Sequence, residues 1–318
     1  MRPRFEPVAG PNRETSISHV SDVREFWNVE ACGSHFVAAE RGTSEFYEQF
    51  RSFRYRTEWH ISELVPFEET RDKKILEIGC GNGADGALFS RAGADYTGVD
   101  LTPAAVRATQ SHFEALGLNG RFQVEDAEAL SFSDESFDFV YSHGVLHHTP
   151  HPKVAFAEVF RVLKPGGRAI VMLYHKHSFN YYIRILGYMR ARILLHVLLR
   201  VGRHSEDRSR INQPMLHLRG NQNSLVWRAH YANFLRQGWS YLQAKNFVHH
   251  ATDGPACPVA NVYTHRMVRT IFRQFTAVET KVAHFPLRKY SAFKWVPLFV
   301  ERRLSSMLGW YLFVYLTK

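Results

Sequence analysis

Ile75-Leu76-Glu77-Ile78-Gly79-Cys80-Gly81-Asn82-Gly83 joins a short apolar run to a glycine-rich turn, and Ala84–Arg91 follows with helical spacing. An apolar run bounded by such a turn reads as a buried strand. The glycines let the chain turn tightly and bring backbone N–H groups close to a ligand. Downstream the same unit repeats. Tyr96-Thr97-Gly98-Val99-Asp100 is a second strand ending on an acid; Pro103 opens a helix over 104–116, and Gly117 is placed to stop it. Phe122-Gln123-Val124, 137–142 and 168–174 supply the third to fifth strands, with a helix over 153–162 and a turn at Lys164-Pro165-Gly166-Gly167. Strands alternating with helices at this spacing predict a parallel, doubly wound sheet.

Upstream, Phe46, Tyr47, Phe50 and Phe53 recur at helical spacing and predict a helical cap over 1–70. The run 309–318, Gly-Trp-Tyr-Leu-Phe-Val-Tyr-Leu-Thr-Lys, is too short to span a membrane as a helix and reads as a buried final strand. It can pair with 276–285, where Val278, Thr280, Val282 and His284 alternate with Ala277, Glu279, Lys281 and Ala283. The predicted fold is α/β: a Rossmann-like, doubly wound, mostly parallel seven-stranded sheet. Its expected divisions are a cap at 1–70, a core at 71–175, a basic and mostly helical insertion at 176–260, and the end of the core at 261–318.

Charge is divided unevenly. Residues 1–170 hold 18 Lys and Arg against 25 Asp and Glu, whereas 171–318 hold 22 against 5. A basic second half points to an anionic partner: a phosphate-bearing substrate, a membrane surface or RNA. The three cysteines, Cys32, Cys80 and Cys257, are too few and scattered for a disulfide framework or a zinc site, and the start of the chain lacks the apolar run of a signal peptide. Cytoplasmic placement, with or without peripheral membrane contact, is expected.

Three acidic stations define a candidate ligand edge. Glu77 precedes the glycines, which read G-x-G-x-G rather than the G-x-G-x-x-G of dinucleotide enzymes. Asp100 ends the second strand, where a carboxylate accepts ribose hydroxyls, and Glu125-Asp126 ends the third, within reach of an adenine amino group. With Asp126-Ala127, Phe137-Asp138-Phe139-Val140, Val145-Leu146-His147-His148 and Arg161-Val162-Leu163-Lys164-Pro165-Gly166-Gly167, the segment from 75 to 172 resembles class I S-adenosylmethionine-dependent methyltransferases. It is most similar to the branch containing the ubiquinone/menaquinone C-methyltransferases. The resemblance implies S-adenosyl-L-methionine as cofactor. It places Glu77, Gly79, Cys80, Gly81, Asn82 and Gly83 at the methionine moiety, Asp100 and Leu101 at the ribose, Asp126 and Ala127 at the adenine, and Ser142 and His143 near the cofactor carboxylate.

Methyl transfer from a sulfonium is an in-line displacement, so positioning dominates, and a base helps where the acceptor is a hydroxyl or ammonium. His143 and His147, just after the fourth strand, are the candidate base or orienting groups. Zinc ligation there is disfavoured because no cysteine or carboxylate adjoins the histidines in sequence, and no metal is expected. The Asn/Asp-Pro-Pro-aromatic motif of base N-methylating enzymes is absent after the fourth strand, which argues against a nucleic-acid acceptor and for a small molecule. Tyr174, His175, Tyr181 and Asp253 are the substrate-side candidates, and Arg184, Arg192, His196 and Arg200 share one face of the helix expected over 183–201. Lid and membrane-interface readings both fit that helix, the lid better. An enzyme using the cofactor's aminocarboxypropyl arm or cyclising it, and a non-catalytic cofactor-binding scaffold, remain alternatives to a methyltransferase for a hydrophobic or anionic small molecule.

Overall fold

The structure, a computed structural model, describes residues 19–29, 37, 39–40, 42–198, 222–289 and 293–318. Helices α1 (Val20–Val29), α2 (Ser44–Thr57) and α3 (Ile61–Leu64) precede β1 (Lys74–Ile78). The alternating core follows: α4 (Ala84–Arg91), β2 (Asp95–Asp100), α5 (Pro103–Leu116), β3 (Arg121–Val124), β4 (Phe137–His143), α6 (Pro152–Val162) and β5 (Leu163–His175). The insertion holds a π-helix (Asn180–Met189), α7 (Arg190–Leu198), α8 (Gln222–Gln237) and α9 (Ala244–Thr252). The chain returns through β6 (Val262–Tyr263), α10 (His265–Ile271), β7 (Ala277–Ala283), α11 (Leu298–Leu308) and β8 (Tyr311–Thr317).

Local chemistry sets the core helices. Thr102 caps α5 by accepting the Ala105 N–H, Pro103 fills the first helical position, and Gly117 ends the helix in the left-handed region. The sheet runs β3-β2-β1-β4-β5-β8-β7, with β6 paired to the end of β5. Pairs among β1 to β6 are parallel, so their C-terminal ends share one edge, and β8 lies antiparallel between β5 and β7. The final strand is buried as expected, with Leu312, Phe313 and Val314 closed off from solvent.

Two local expectations change. Val262-Tyr263 adds a short eighth strand, too brief to carry a periodic signal. Residues 164–167 are not a free turn. They remain inside β5 as a bulge: the register jumps from Phe137↔Leu163 to Phe139↔Arg168, and Gly166 absorbs the distortion at φ +74°.

Each sheet face has its own core. Val140, Val171 and Val314 pack with α6 and α10 residues on one face, while Phe139, Tyr141 and Phe313 meet Ile61 and Phe89 on the other. A third cluster, including Ile185, Phe234, Tyr241, Phe247 and Trp310, closes the insertion onto the end of β5. In the insertion, the π-helix alters the expected four-residue spacing. Arg192 lies over the Trp227 ring at 4.1 Å, packed on α8 rather than solvated. Arg200 and most of the expected loop at 203–224 lie outside the described residues.

Candidate active site

The glycine turn sits at the C-terminal edge of β1. The Gly79 and Cys80 N–H groups both donate to Val99 O, at 2.7 and 3.0 Å, which anchors the turn to β2. Gly79 has φ +83°, and a Cβ there would run into the Val145 side chain, so the turn packs directly onto the loop after β4. At Gly81, φ +56°, an added Cβ would meet nothing within 4 Å, leaving open space above the turn. Asn82 O accepts from His112 Nδ1 at 2.8 Å, and Gly83 N–H donates to Cys80 O at 2.8 Å as α4 begins.

Asp100 lies beside this opening, with Leu101 half-buried next to it. Its Oδ1 accepts Thr102 N–H and Oγ1–H, each at 2.9 Å, and its Oδ2 accepts Gly81 N–H at 3.2 Å. A carboxylate has about four acceptor sites, so one remains for a ribose hydroxyl without rearrangement. At the end of β3, Asp126 accepts Glu128 N–H at 2.9 Å, which fixes the turn bearing the buried Ala127. Ser142 donates to Ile78 O at 3.0 Å, spending its hydroxyl on joining β4 to β1. Glu77 lies beneath the turn, closed off from solvent and hydrogen-bonded by the Tyr96 hydroxyl. Burial, then the nearby Asp85, raises its carboxyl well above the usual range. It supports the turn from below.

These features fit S-adenosyl-L-methionine: glycine backbone under an open space, a ribose-reading carboxylate one strand over, and an acid with a small buried residue one strand further. Asp100→Ala is expected to weaken cofactor binding by about 2 kcal/mol, roughly 30-fold, because hydrogen bonds to a charged acceptor are lost. Calorimetric titration checks this, and unchanged affinity would put the ribose elsewhere.

A buried polar network continues from the turn toward β4. Asp85, in the first turn of α4, accepts Arg54 Nε at 3.0 Å and Nη2 at 2.5 Å, Tyr55 OH at 2.8 Å and Tyr141 OH at 3.0 Å. Burial alone would raise the Asp85 carboxyl, but Arg54 outweighs it and lowers the group below its ordinary value. Arg54 also donates to Glu58 Oε2 at 2.9 Å, Tyr311 OH donates to Glu58 Oε1 at 2.7 Å, and His143 Nε2 lies 3.9 Å from the same oxygen. Burial would likewise raise Glu58, yet Arg54 and then His143 hold it well below the usual carboxylate range. Arg54→Ala leaves two carboxylates short of their cation. It is expected to cost about 3–5 kcal/mol of stability, with Arg54→Lys intermediate because the guanidinium fork is lost. Urea denaturation midpoints test both.

The expected catalytic pair divides. His143 belongs to this network. His147 does not: it is 0% exposed, its ring is wedged against Tyr174 and His148, and neither ring nitrogen has a hydrogen-bond partner. Burial drives it well below the ordinary histidine value, and its ring packs in the core outside the Arg54–Asp85 network.

The substrate-side candidates also divide, because side chains alternate along β5. Tyr174 faces the Trp310 ring at 4.5 Å and donates to both Asp253 oxygens at 3.0 Å. His175 faces the other way, buried against Gly309 O and His265. Tyr181 is buried in the insertion and lines a cleft of about 330 Å³ with Lys176, Lys245 and Asn261. Asp253 also reaches His148. Sequence reasoning missed Arg54, Glu58, Asp85, Tyr141 and Tyr311, which come from four separate parts of the chain. The available signal was the Arg54/Glu58 pair at i,i+4, at the end of a helix whose aromatic residues alternate with charged ones.

A model of the methyltransferase domain family matches residues 76–171, from β1 into β5. This stretch is a class I methyltransferase domain. A phthiotriol/phenolphthiotriol dimycocerosates methyltransferase of Mycobacterium leprae is 44% identical over 97 residues, 30% of this chain and 35% of that protein. A ubiquinone biosynthesis O-methyltransferase of Pseudomonas fluorescens is 33% identical over 116 residues, 36% of this chain and 50% of that protein. The chain thus spans half or less of these curated relatives. Among solved structures, a chain from the complex between the Haloferax volcanii Trm112 methyltransferase activator and a methyltransferase aligns with a TM-score of 0.51 and 14% identity. That alignment covers 93% of this chain and 96% of that one, a likeness of fold alone.

Proposed function

We propose that this chain is an S-adenosylmethionine-dependent methyltransferase that methylates a hydroxyl of a hydrophobic small molecule. The observation carrying the reading is the glycine turn, Asp100 and Asp126 on one sheet edge, inside the segment matching the methyltransferase domain. The cofactor, when bound, supplies an activated methyl group. Glycine-turn backbone would hold its methionine end, Asp100 its ribose, and Asp126 with Ala127 its adenine.

The His143 tautomer supports an acceptor that gives up a proton, a hydroxyl among them. Tyr141 has one proton, which it gives to Asp85, the carboxylate that Arg54 keeps ionised. Its oxygen therefore accepts from His143 Nδ1–H at 3.2 Å. The Nε2 lone pair is left enclosed and without a hydrogen-bond partner. An acceptor hydroxyl would hydrogen-bond to that nitrogen and lose its proton to it as the methyl group passes from the sulfonium sulfur to the oxygen. Glu58 then stabilises the charged imidazole.

An apolar acceptor is supported by two observations. The two relatives described above are named for phthiotriol/phenolphthiotriol dimycocerosates and for ubiquinone biosynthesis. The insertion exposes Ile183, Tyr188, Leu195 and Leu198, apolar side chains suited to peripheral contact with a lipid surface. No helix among the described residues is long and apolar enough to cross a membrane.

The test incubates purified protein with methyl-labelled cofactor and an extract of the source cells. Label moving into an organic-phase product as a base-stable, ether-type methyl supports the reading, and a base-labile methyl ester would overturn the hydroxyl assignment. Label accumulating as methylthioadenosine would overturn it in favour of chemistry on the cofactor's other arm.

A further inference from the structure

The loop after β4 and the end of the insertion meet in a cluster that sequence spacing does not reveal. His148 follows β4, whereas Asp253 and Cys257 flank the Gly254-Pro255 turn after α9, more than a hundred residues later. A His148 ring nitrogen, an Asp253 carboxylate oxygen and Cys257 Sγ all lie within 4.8 Å of one another. The cysteine and carboxylate partners that His148 lacks in sequence are supplied by folding.

We propose that His148, Asp253 and Cys257 form a site for a divalent transition metal of the Zn²⁺ class, which clamps the insertion to the core. Imidazole nitrogen, carboxylate oxygen and thiolate sulfur are the three donor types that zinc takes. A tetrahedron with bonds of about 2.0–2.3 Å has edges of about 3.3–3.8 Å. His148 Nε2 and Asp253 Oδ2 are 3.4 Å apart, already at that spacing. A shift of about 1 Å in the thiol would close the triangle. Three protein ligands leave a fourth position for water or an exogenous group.

The surrounding bonds orient each donor. His148 Nδ1 donates to Val259 O at 2.7 Å, which leaves its lone pair on Nε2, a buried nitrogen without a hydrogen-bond partner. Metal-bound histidines are held in this way, with the second ring nitrogen donating to a carbonyl. Tyr174 OH bridges both Asp253 oxygens at 3.0 Å and so fixes the carboxylate plane. Cys257 is buried, with its backbone N–H turned into Gly254 O at 3.1 Å. Its thiol donates weakly to Val259 O at 3.5 Å, a contact that the proton's departure would release. The two loops are also joined without metal, because the Asn261 backbone N–H and side-chain amide both donate to His147 O, at 3.0 and 3.2 Å. The site is therefore assembled before an ion arrives.

Co²⁺ titration of the full chain, freed of metal by dialysis against chelator, tests this. The expected result is tetrahedral visible bands and a thiolate-to-metal charge-transfer band, saturating at one ion per chain and displaced by Zn²⁺. Cys257→Ser should remove the charge-transfer band, whereas Cys32→Ser should keep it. Asp253→Asn and His148→Ala should each weaken Co²⁺ at least tenfold, and Tyr174→Phe by about tenfold through loss of carboxylate orientation. If Cys257→Ser does not fold, the Asp253→Asn affinity and the Zn²⁺-dependent rise in melting temperature of the unaltered chain carry the test. Absence of the bands, or bands that survive Cys257→Ser and disappear in Cys32→Ser, would overturn the site and leave a hydrogen-bonded His–Asp–Tyr cluster.

Discussion

Acidification from pH 7.5 to 5 is expected to remove most of the folding stability of this protein. Burial lowers His60 and His230 to about 3, and His175 and His250 to about 4; it also drives His147 well below its ordinary value. In the unfolded chain the same side chains titrate near 6.5. Between 6.5 and these folded values the unfolded state binds more protons, so stability is full above about 6.5 and is lost as pH falls. Each histidine contributes about 1.4 kcal/mol per pH unit, hence about 2 kcal/mol at pH 5. Acting together, these groups approach the whole stability of an ordinary domain, 5–15 kcal/mol on the order of magnitude.

Two acids oppose this loss. Burial raises Glu77 and Asp100, so the folded state takes up their protons first and gains relative stability on acidification. They are outnumbered. Below about 4.5 the lowered Glu58 and Asp85 reinforce the loss. Urea midpoints across pH 7.5 to 5 measure the slope, and His60→Phe or His230→Phe should flatten it. A stability independent of pH over that range would show that the histidines are not enclosed as described.

The sheet was legible because strand and helix alternate within short sequence distance. From β1 to β5 each strand ends in, or is followed at once by, a glycine, an acid or a histidine, so periodicity and punctuation agree. The antiparallel β8 was legible for a different reason: ten residues with that apolar content fit only a buried strand. The bulge at 164–167 was not, since Pro-Gly-Gly signals a turn whether it ends a strand or kinks one. Site residues follow the same division. Cofactor-edge positions belong to one contiguous motif set. Arg54, Glu58 and Asp85 meet only because α2 packs over the β1 turn, and Cys257 reaches His148 only because the insertion folds back. Contacts between distant segments leave no periodic trace in a single sequence. Alternation did carry one missed inference: neighbours on β5 must face opposite sides, so Tyr174 and His175 are poorly suited to share one substrate.

Replacing His143 by alanine is expected to lower kcat by about 10²–10⁴, the usual contribution of a positioned general base, with cofactor affinity nearly unchanged. The base is built by three neighbours rather than by the ring alone. Arg54 keeps Asp85 ionised, Asp85 takes the Tyr141 proton, and Tyr141 thereby accepts from Nδ1, leaving Nε2 to the acceptor. Tyr141→Phe removes the acceptor that selects this tautomer and should cost less than His143→Ala. Glu58→Gln removes the negative charge 3.9 Å from Nε2, so the protonated ring loses its stabilisation. It should reduce kcat by about 10–10² while leaving KM close to its original value. Asp100→Ala gives the opposite split, raising the KM for cofactor with a smaller effect on kcat, because ribose binding is common to ground and transition states. A His143→Ala kcat within threefold of the unaltered protein would mean that the acceptor needs no base from this chain. The hydroxyl assignment would then fail, while the cofactor site, tested separately through Asp100, would stand.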